Sequence, residues 1–194
     1  MLYWILASLP KTYPLGHDNK RKVVYKIKDQ LFRFWYKFIP EVLPMIEMGL
    51  SQEAYAQKIE PRFSQYFGLV FEEICRQYLI RQNRNHQLGS LYHEFGSWWG
   101  TNPELKIEVE IDIVASHDST ALFAECKWEN EPIGISELET LQRRAQLTQK
   151  GKAAEFYLFS KSGFSDELLP KQGQTLHLVP YDNLLLATQP EIDR

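Results

Sequence analysis

The chain has 194 residues, a formal net charge of −3 at pH 7 and a sequence pI near 6.0. This balance excludes a basic surface over the whole protein, so any nucleic-acid binding has to depend on a local patch. The apolar stretches are too short for a membrane span, and the start MLYWILASLP lacks the basic region of a signal peptide. Two cysteines without a CxxC motif, Cys75 and Cys126, add to the prediction of a reduced, cytoplasmic setting.

Residues 1–28 contain two apolar, β-forming stretches, LYWILASLP and VVYKIKD, on either side of a polar and turn-rich stretch. This pattern predicts a strand–loop–strand hairpin. Residues 29–61 are predicted to form a helical segment, with Asp29 as the N-cap of its first helix. We expect three prolines to interrupt or end the helices of this segment: Pro40, Pro44 and Pro61.

From residue 62 onward the pattern predicts one α/β domain. Residues 63–82 show the longest helical periodicity of the chain. Three strand-like segments follow, the last two being KIEVEIDIVA and ALFAECKW, and then an amphipathic helix from Ile135 and a further strand, AEFYLFSKS. TLHLVPYDNLL predicts one more strand and a tail. The order α-β-β-β-α-β indicates a mixed sheet of the α/β class.

Charged residues occupy the middle of two of these strands. Side chains alternate across a strand, so Glu110 and Asp112 are predicted to share one face, and the two isoleucines of EIDIVA the other. In the next strand Glu125 and Lys127 are predicted to share a face. Twelve residues separate Asp112 from Glu125, which suits an antiparallel hairpin that brings the two carboxylates together.

Two carboxylates at close range repel each other, and a divalent cation relieves that repulsion. Mg²⁺ prefers oxygen ligands and keeps several waters, so one or two carboxylates and a substrate phosphate complete its shell. Lys127 on the same face can orient or deprotonate an attacking water, or stabilise negative charge on a phosphate. The pattern therefore indicates metal-assisted phosphodiester hydrolysis. A solvated sheet face with cross-strand salt bridges is the alternative explanation of the same charges.

The motif D-x₁₂-E-C-K, formed by Asp112, Glu125 and Lys127 within this element order, resembles the PD-(D/E)xK nuclease superfamily. EIDIVA and AECKW are similar to its branch of archaeal Holliday-junction resolvases and Mrr-type restriction enzymes. The resemblance implies a restriction-endonuclease-like core, Mg²⁺ (or Mn²⁺) as cofactor and DNA as substrate. It also implies that Asp112 and Glu125 hold the metal and that Lys127 assists the attacking water. The proline that usually precedes the first Asp of that motif is absent here.

Two helices carry further candidates by the same resemblance. Superfamily members often have an acid on the first helix in a Gly-x-x-Phe-Glu context, and GLVFEEIC offers Glu72 and Glu73. Helical projection does not choose between them, whereas the resemblance favours Glu72 as a metal ligand. Related nucleases also place a polar residue of the helix after Lys127 near the metal, for which Gln142 is the candidate. Its neighbours Arg143 and Arg144 are candidates for phosphate contact, and a solvated helix face is the alternative for all three.

A closer resemblance covers nearly the whole chain. YKIKDQLFRFWYKFI, YFGLVFEEICRQYL, GSWWG and AECKW are similar to the C-terminal domain of a family of prokaryotic AAA-type ATPases. In that family a P-loop ATPase domain and a winged helix precede the nuclease-like module. The resemblance implies that residues 1–28 end a winged helix, with a basic wing tip at Lys20, Arg21 and Lys22, and that residues 62–194 form the nuclease-like domain. The sequence has no G-x₄-G-K-[ST], so we expect no ATP hydrolysis from this chain by itself.

These observations lead to three hypotheses. The first is a Mg²⁺-dependent DNA endonuclease-like module associated with an AAA-type ATPase, with a homodimer as one arrangement for cutting two strands. The second is a non-catalytic DNA- or protein-binding module of the same fold that regulates or targets the ATPase. The third is an interaction domain without a nucleic-acid role. The first requires the carboxylates of Asp112 and Glu125 to lie close together with Lys127 in the same cleft, and not on opposite faces of the sheet.

Overall fold

The computed structural model describes residues 11–12, 24–25, 27, 29–101, 106–148 and 152–186. Within these ranges the chain forms two compact units, the first ending at Val70 and the second beginning at Phe71. The basic wing tip predicted at Lys20, Arg21 and Lys22 lies outside the described residues. Among the helices that the structure describes, none combines the length and the apolar character needed to cross a bilayer.

The first unit consists of a short strand pair and helices. Strands β1 (Lys11–Thr12) and β2 (Val24–Tyr25) pair antiparallel. Helix α1 (Gln30–Glu47) begins at Asp29, whose carboxylate accepts the N–H of Phe32 at 3.0 Å, so the predicted N-cap is confirmed. The core of this unit is formed by residues from its helices: Phe38, Val42, Ala54, Ile59 and Tyr66.

The prolines of this unit do not end its helices, and the predicted breaks are wrong. Helix α1 continues through Pro40 and Pro44. Helix α2 (Ser51–Ala54) passes into a π-helical turn (Tyr55–Ile59) and directly into helix α3 (Glu60–Arg84), with Pro61 as its second residue. Proline is tolerated in the first turn of an α-helix because that N–H lacks an intrahelical partner there. The π turn therefore leads directly into helix α3, in which Pro61 occupies the first turn.

The second unit contains a five-stranded mixed sheet in the order β3-β4-β5-β6-β7. Its strands are β3 (Glu94–Thr101), β4 (Glu108–Ser116), β5 (Thr120–Lys127), β6 (Ala153–Ser160) and β7 (Leu176–Pro180). The first three pair antiparallel, and β6 and β7 continue the sheet in parallel. Helix α4 (Ile135–Thr148) connects β5 to β6, and helix α5 (Tyr181–Leu186) follows β7. The predicted α/β class and the order α-β-β-β-α-β are confirmed.

Each face of the sheet has its own hydrophobic core. The α4 face contains residues such as Phe123, Leu138 and Leu141, and the α3 face contains residues such as Phe71 and Cys75. Side chains of β5 alternate between these faces, since Phe123 belongs to the first cluster and Ala124 to the second. Strands that are covered on both faces contain few charged side chains, so the charged residues at the end of β5 require a specific environment.

Candidate active site

The predicted alternation of β4 fails at Asp112. Ile111 belongs to the core on the α4 face and Ile113 to the core on the α3 face. The expectation that these two isoleucines share a face is therefore wrong. The pairing of β3 with β4 shows the reason, because Trp98 lies opposite Ile111 whereas Gly96 lies opposite Val114. One residue more is present on β4 than on β3 in this interval, as in a β-bulge, and bulges change the direction of a side chain next to an active site.

The bulge lies where Asp112 meets the end of β5. The last pair in the register of β4 with β5 is Ile113 opposite Ala124, so Asp112 and Glu125 are the next residue on each strand. Oδ2 of Asp112 accepts the backbone N–H of Cys126 at 2.8 Å. The side chain thus replaces a strand-to-strand hydrogen bond at this point. This bond fixes the Asp112 carboxylate beside the Glu-Cys-Lys segment of β5.

Glu125 is the most enclosed charged group of the site, with its side chain only 9% exposed. Each of its two oxygens has a cationic partner. Oε1 lies 3.0 Å from Nζ of Lys127, and Oε2 lies 3.1 Å from Nη1 of Arg144 on helix α4. A buried carboxylate needs such partners because desolvation strongly disfavours an isolated charge. The prediction that Glu125 and Lys127 share a face is confirmed.

Asp112 has a different electrostatic environment from Glu125. Among the described residues it forms no salt bridge within 4.0 Å, and its carboxylate is largely buried. Burial, followed by repulsion from Glu125 and Glu72, raises the pKa of Asp112 from its ordinary 3.8 to about 8. The strand register and the hydrogen bond to Cys126 place Asp112 beside Glu125 on the neighbouring strand. In the metal-free protein at neutral pH, Asp112 is therefore mostly protonated while Glu125 is ion-paired.

The two residues beside Glu125 on β5 have contrasting surroundings. Burial alone would lower the pKa of Lys127, but the charge and hydrogen bond of Glu125, together with Asp112, raise it above its usual value. Lys127 is therefore an ammonium ion in this state. Burial and a hydrogen bond with Cys75 raise the pKa of Cys126, which packs on the α3 face. The Cys126 thiol is neutral and takes no part in the charged cluster.

The structure distinguishes the two acids of helix α3. Glu73 forms an ion pair with Arg76 and accepts a hydrogen bond from Gln77 at 2.8 Å. These partners lie three and four residues further along the same helix, as is usual for a helix surface. The charge of Glu72, by contrast, contributes to the raised pKa of Asp112. Of the two acids of helix α3, Glu72 is thus the one whose charge acts on Asp112.

Helix α4 contributes Arg144, a candidate for phosphate contact whose ion pair with Glu125 the sequence did not predict. Gln142 is exposed, and the residue of this helix that contacts Glu125 is Arg144. Helical projection from the buried side of α4 puts Arg143 on the far side, and Gln142 and Arg144 on opposite flanks of that side. Projection therefore excludes Arg143 but does not choose between the other two. The available signal was charge, because of these two residues only Arg144 can neutralise a buried carboxylate.

The donor set suits a hard divalent cation at a two-carboxylate site. Within the described residues no three or more His, Cys, Asp or Glu side chains are grouped so that they already hold a metal ion. The structure thus does not assemble Glu72, Asp112 and Glu125 as a three-ligand cage. Mg²⁺ requires only one or two carboxylates, since waters and phosphate oxygens complete its shell. A divalent cation at this site would displace the proton of Asp112 and compete with the cationic partners of Glu125.

Comparisons with known proteins give a family and similar proteins. The uncharacterized protein MJECL04 of Methanocaldococcus jannaschii is 32% identical to this chain over 114 residues, which are 58% of this chain and 24% of that protein. The chain thus matches about a quarter of the length of this relative. A crystal structure of a protein of unknown function, AF1548, is 21% identical, with a TM-score of 0.41, over 63% of this chain and 73% of the other.

A family match covers the central part of the chain, from helix α1 through most of helix α4. It extends over residues 35–145, more than half of the sequence, and it includes all of the charged residues described above. On this match the chain belongs to the DUF234 family, described as archaeal and bacterial proteins of unknown function.

Proposed function

We propose that this chain is a Mg²⁺-dependent (or Mn²⁺-dependent) DNA endonuclease-like module of the PD-(D/E)xK type. The observation that carries the proposal is the crowding of Asp112 against Glu125 beside Lys127. The pKa of Asp112 rises to about 8 because of burial and this repulsion. An acid held in this way does not stabilise the folded protein. A divalent cation bound between the two carboxylates would be attracted by both of them and would remove their mutual repulsion.

The residues of the site would divide the chemistry among them. Asp112 and Glu125 would hold a divalent cation, which supplies Lewis-acid stabilisation of a phosphodiester when bound. Lys127 is protonated, and its Nζ lies 3.0 Å from Glu125. In that state it is suited to orient the attacking water and to stabilise charge that develops on the phosphate. Removal of a proton from the water would require Lys127 to lose its own proton first.

The association with an AAA-type ATPase is the second part of the proposal. It rests on the similarity of YFGLVFEEICRQYL, GSWWG and AECKW to the C-terminal domain of such ATPases. Because this chain matches only a quarter of MJECL04, that relative has ample length for further domains. DNA and an ATPase domain or subunit are therefore the proposed partners.

A non-catalytic DNA- or protein-binding module that regulates or targets the ATPase is the second candidate function. One observation favours it specifically, namely that both oxygens of Glu125 are occupied by Lys127 and Arg144. An ion-paired cluster of this kind is stable without a metal, so a module that has lost turnover can keep it. The two candidates differ in metal-dependent cleavage.

DNA cleavage decides between these two functions. Branched, linear and single-stranded DNA would be incubated with Mg²⁺ or Mn²⁺ and either the wild type or Lys127→Met. We expect the wild type to cut at least one of these substrates and the variant to lose roughly a hundredfold or more in rate, as for other groups that stabilise transition-state charge. Lys171→Met, an exposed lysine of the 3₁₀ turn Leu169–Lys171, is the control and should cut normally. If the wild type cuts none of the DNAs with either metal, the binding-module function replaces the nuclease.

A further inference from the structure

We infer that Arg144 is a phosphate-binding residue that stays paired with Glu125 until a divalent cation binds Glu125 and releases it. This inference rests on the proposed function, since it assumes that Glu125 is a metal ligand and that DNA is the ligand of the site. It adds a residue to that function and a coupling between cation binding and DNA binding.

The first argument is the position of Arg144 relative to Glu125. The Nη1 atom lies 3.1 Å from Oε2, and the side chain of Arg144 is 32% exposed whereas that of Glu125 is 9% exposed. Arg144 therefore extends from solvent to an enclosed acid. The same guanidinium can contact a ligand at the surface once its present partner is no longer available.

The second argument is competition for the oxygens of Glu125. Lys127 occupies Oε1 and Arg144 occupies Oε2, so a cation that binds Glu125 must share or displace one of these partners. Lys127 and Glu125 are two positions apart on one strand and remain neighbours after any rearrangement. Arg144 is on a different element, helix α4, so its side chain can move away from Glu125 independently of strand β5. It is the partner that can leave.

The third argument is the chemistry of the released group. A guanidinium that loses its carboxylate partner needs another anion, and its planar fork matches the oxygens of a phosphodiester. While Arg144 is paired with Glu125, its charge is neutralised and is not available to DNA. A cation bound at Glu125 and a released Arg144 would together add positive charge to the site. DNA affinity should therefore depend on the cation by way of Arg144.

The first test measures cation binding without DNA. Mn²⁺ would be titrated into the wild type, Arg144→Gln and Arg143→Gln, with the free ion followed by electron paramagnetic resonance. Arg143 is the matched control because it is exposed on the same helix and bonds Thr140 at 3.1 Å instead of Glu125. Loss of one partly exposed ion pair corresponds to about a fivefold change in affinity. We expect Arg144→Gln to bind Mn²⁺ about fivefold more tightly, and Arg143→Gln to match the wild type.

Several outcomes of this titration would overturn the inference. If Arg144 only supports the position of Glu125, its loss weakens Mn²⁺ binding. If Arg144 acts only through its general positive charge, the affinity for Mn²⁺ should increase as much in Arg143→Gln as in Arg144→Gln. Absence of Mn²⁺ binding by the wild type also ends the inference. Thermal unfolding of each variant shows whether it is folded, and Arg144→Lys, which keeps the charge, would be the substitute if Arg144→Gln does not fold, with Mn²⁺ binding near that of the wild type expected.

The second test measures DNA affinity with and without a cation. Fluorescence anisotropy of a labelled DNA duplex would be followed in EDTA and in Ca²⁺, chosen as a hard cation that is commonly unable to replace Mg²⁺ in catalysis. We expect Ca²⁺ to increase the affinity of the wild type at least threefold more than that of Arg144→Gln. An equal increase in both proteins would contradict the release of Arg144. DNA cleavage by the wild type tests the proposed function separately, so a coupled but inactive protein would leave the role of Arg144 intact.

Discussion

Replacing Asp112 with asparagine should stabilise the metal-free protein at alkaline pH. The folded protein raises the pKa of Asp112 from 3.8 to about 8 through burial and the charges of Glu125 and Glu72. Folding therefore favours the protonated form of this residue. Asparagine is neutral at every pH, and its side-chain oxygen can still accept the N–H of Cys126 that Asp112 binds at 2.8 Å.

The pKa of Asp112 sets the sign and the size of the expected effect. A group with a raised pKa in the folded state contributes its stability fully below the unfolded pKa, here near pH 4, and loses it as the pH rises through about 8. The rise in the pKa of Asp112 corresponds to at most about 6 kcal/mol of stability. Because the neighbouring carboxylates can move apart and admit water, we expect about 2 kcal/mol. The wild type should thus lose about 2 kcal/mol relative to Asp112→Asn between pH 4 and pH 9.

Urea unfolding in EDTA, followed by tryptophan fluorescence at several pH values, measures this difference. The control is Asp118→Asn, an exposed aspartate in the turn between β4 and β5, whose difference from the wild type should not change with pH. A pH-independent difference for Asp112→Asn would refute the reasoning, as would a wild type that gains stability over the variant as the pH rises. Millimolar Mg²⁺ at pH 8 should restore stability to the wild type and not to Asp112→Asn, because binding to the folded state stabilises it.

Three further predictions concern the fold. Asn83→Ala should lower the free energy of unfolding in urea by about 1–3 kcal/mol, because the side-chain amide of Asn83 hydrogen-bonds both the N–H and the C=O of Tyr92 at 2.8 Å. Asn85→Ala, at an exposed position, is the control. Equal losses of stability in the two variants would contradict this role of Asn83. Leu141→Ala should lower the free energy of unfolding in urea by about 2–5 kcal/mol, because Leu141 is fully buried in the core between helix α4 and the sheet. A loss of less than about 1 kcal/mol would contradict this position in the core. Asp29→Ala should lower the stability of helix α1 by about 1 kcal/mol, because it removes the N-cap, and amide hydrogen exchange of this helix measures the loss. Unchanged protection of these amides would contradict the role of Asp29 as the N-cap.

Local sequence patterns were sufficient for most elements of the second unit. Strands β4, β5 and β6 were predicted within a few residues, since apolar and β-branched stretches that alternate or fill a core specify strands directly. The prolines of the first unit were misread for a physical reason. Proline disfavours a helix interior on average, but Pro40 and Pro44 lie within a continuous helix α1, and a π turn precedes Pro61. Such accommodation depends on packing and on hydrogen bonds that a local rule does not contain.

The sequence by itself determined which residues could carry the chemistry. Asp112, Glu125 and Lys127 stand at charged positions in β-forming segments, and their spacing predicted that a hairpin brings them together. The tertiary structure decided how they are arranged. The bulge at Asp112 shifts the alternation of β4, because one strand has one residue more than its partner over that interval. No periodicity of a single strand contains that information.

The tertiary structure also decided which helix residues reach the site. Helical projection does not separate Glu72 from Glu73. The structure separates them because the charge of Glu72 acts on Asp112, whereas Glu73 pairs with Arg76. Gln142 and Arg144 flank the buried side of helix α4 equally well, and only the placement of the helix on the sheet brings Arg144 to 3.1 Å from Glu125. Contacts between elements far apart in the chain depend on the path of the backbone in three dimensions, which residue identities alone do not specify.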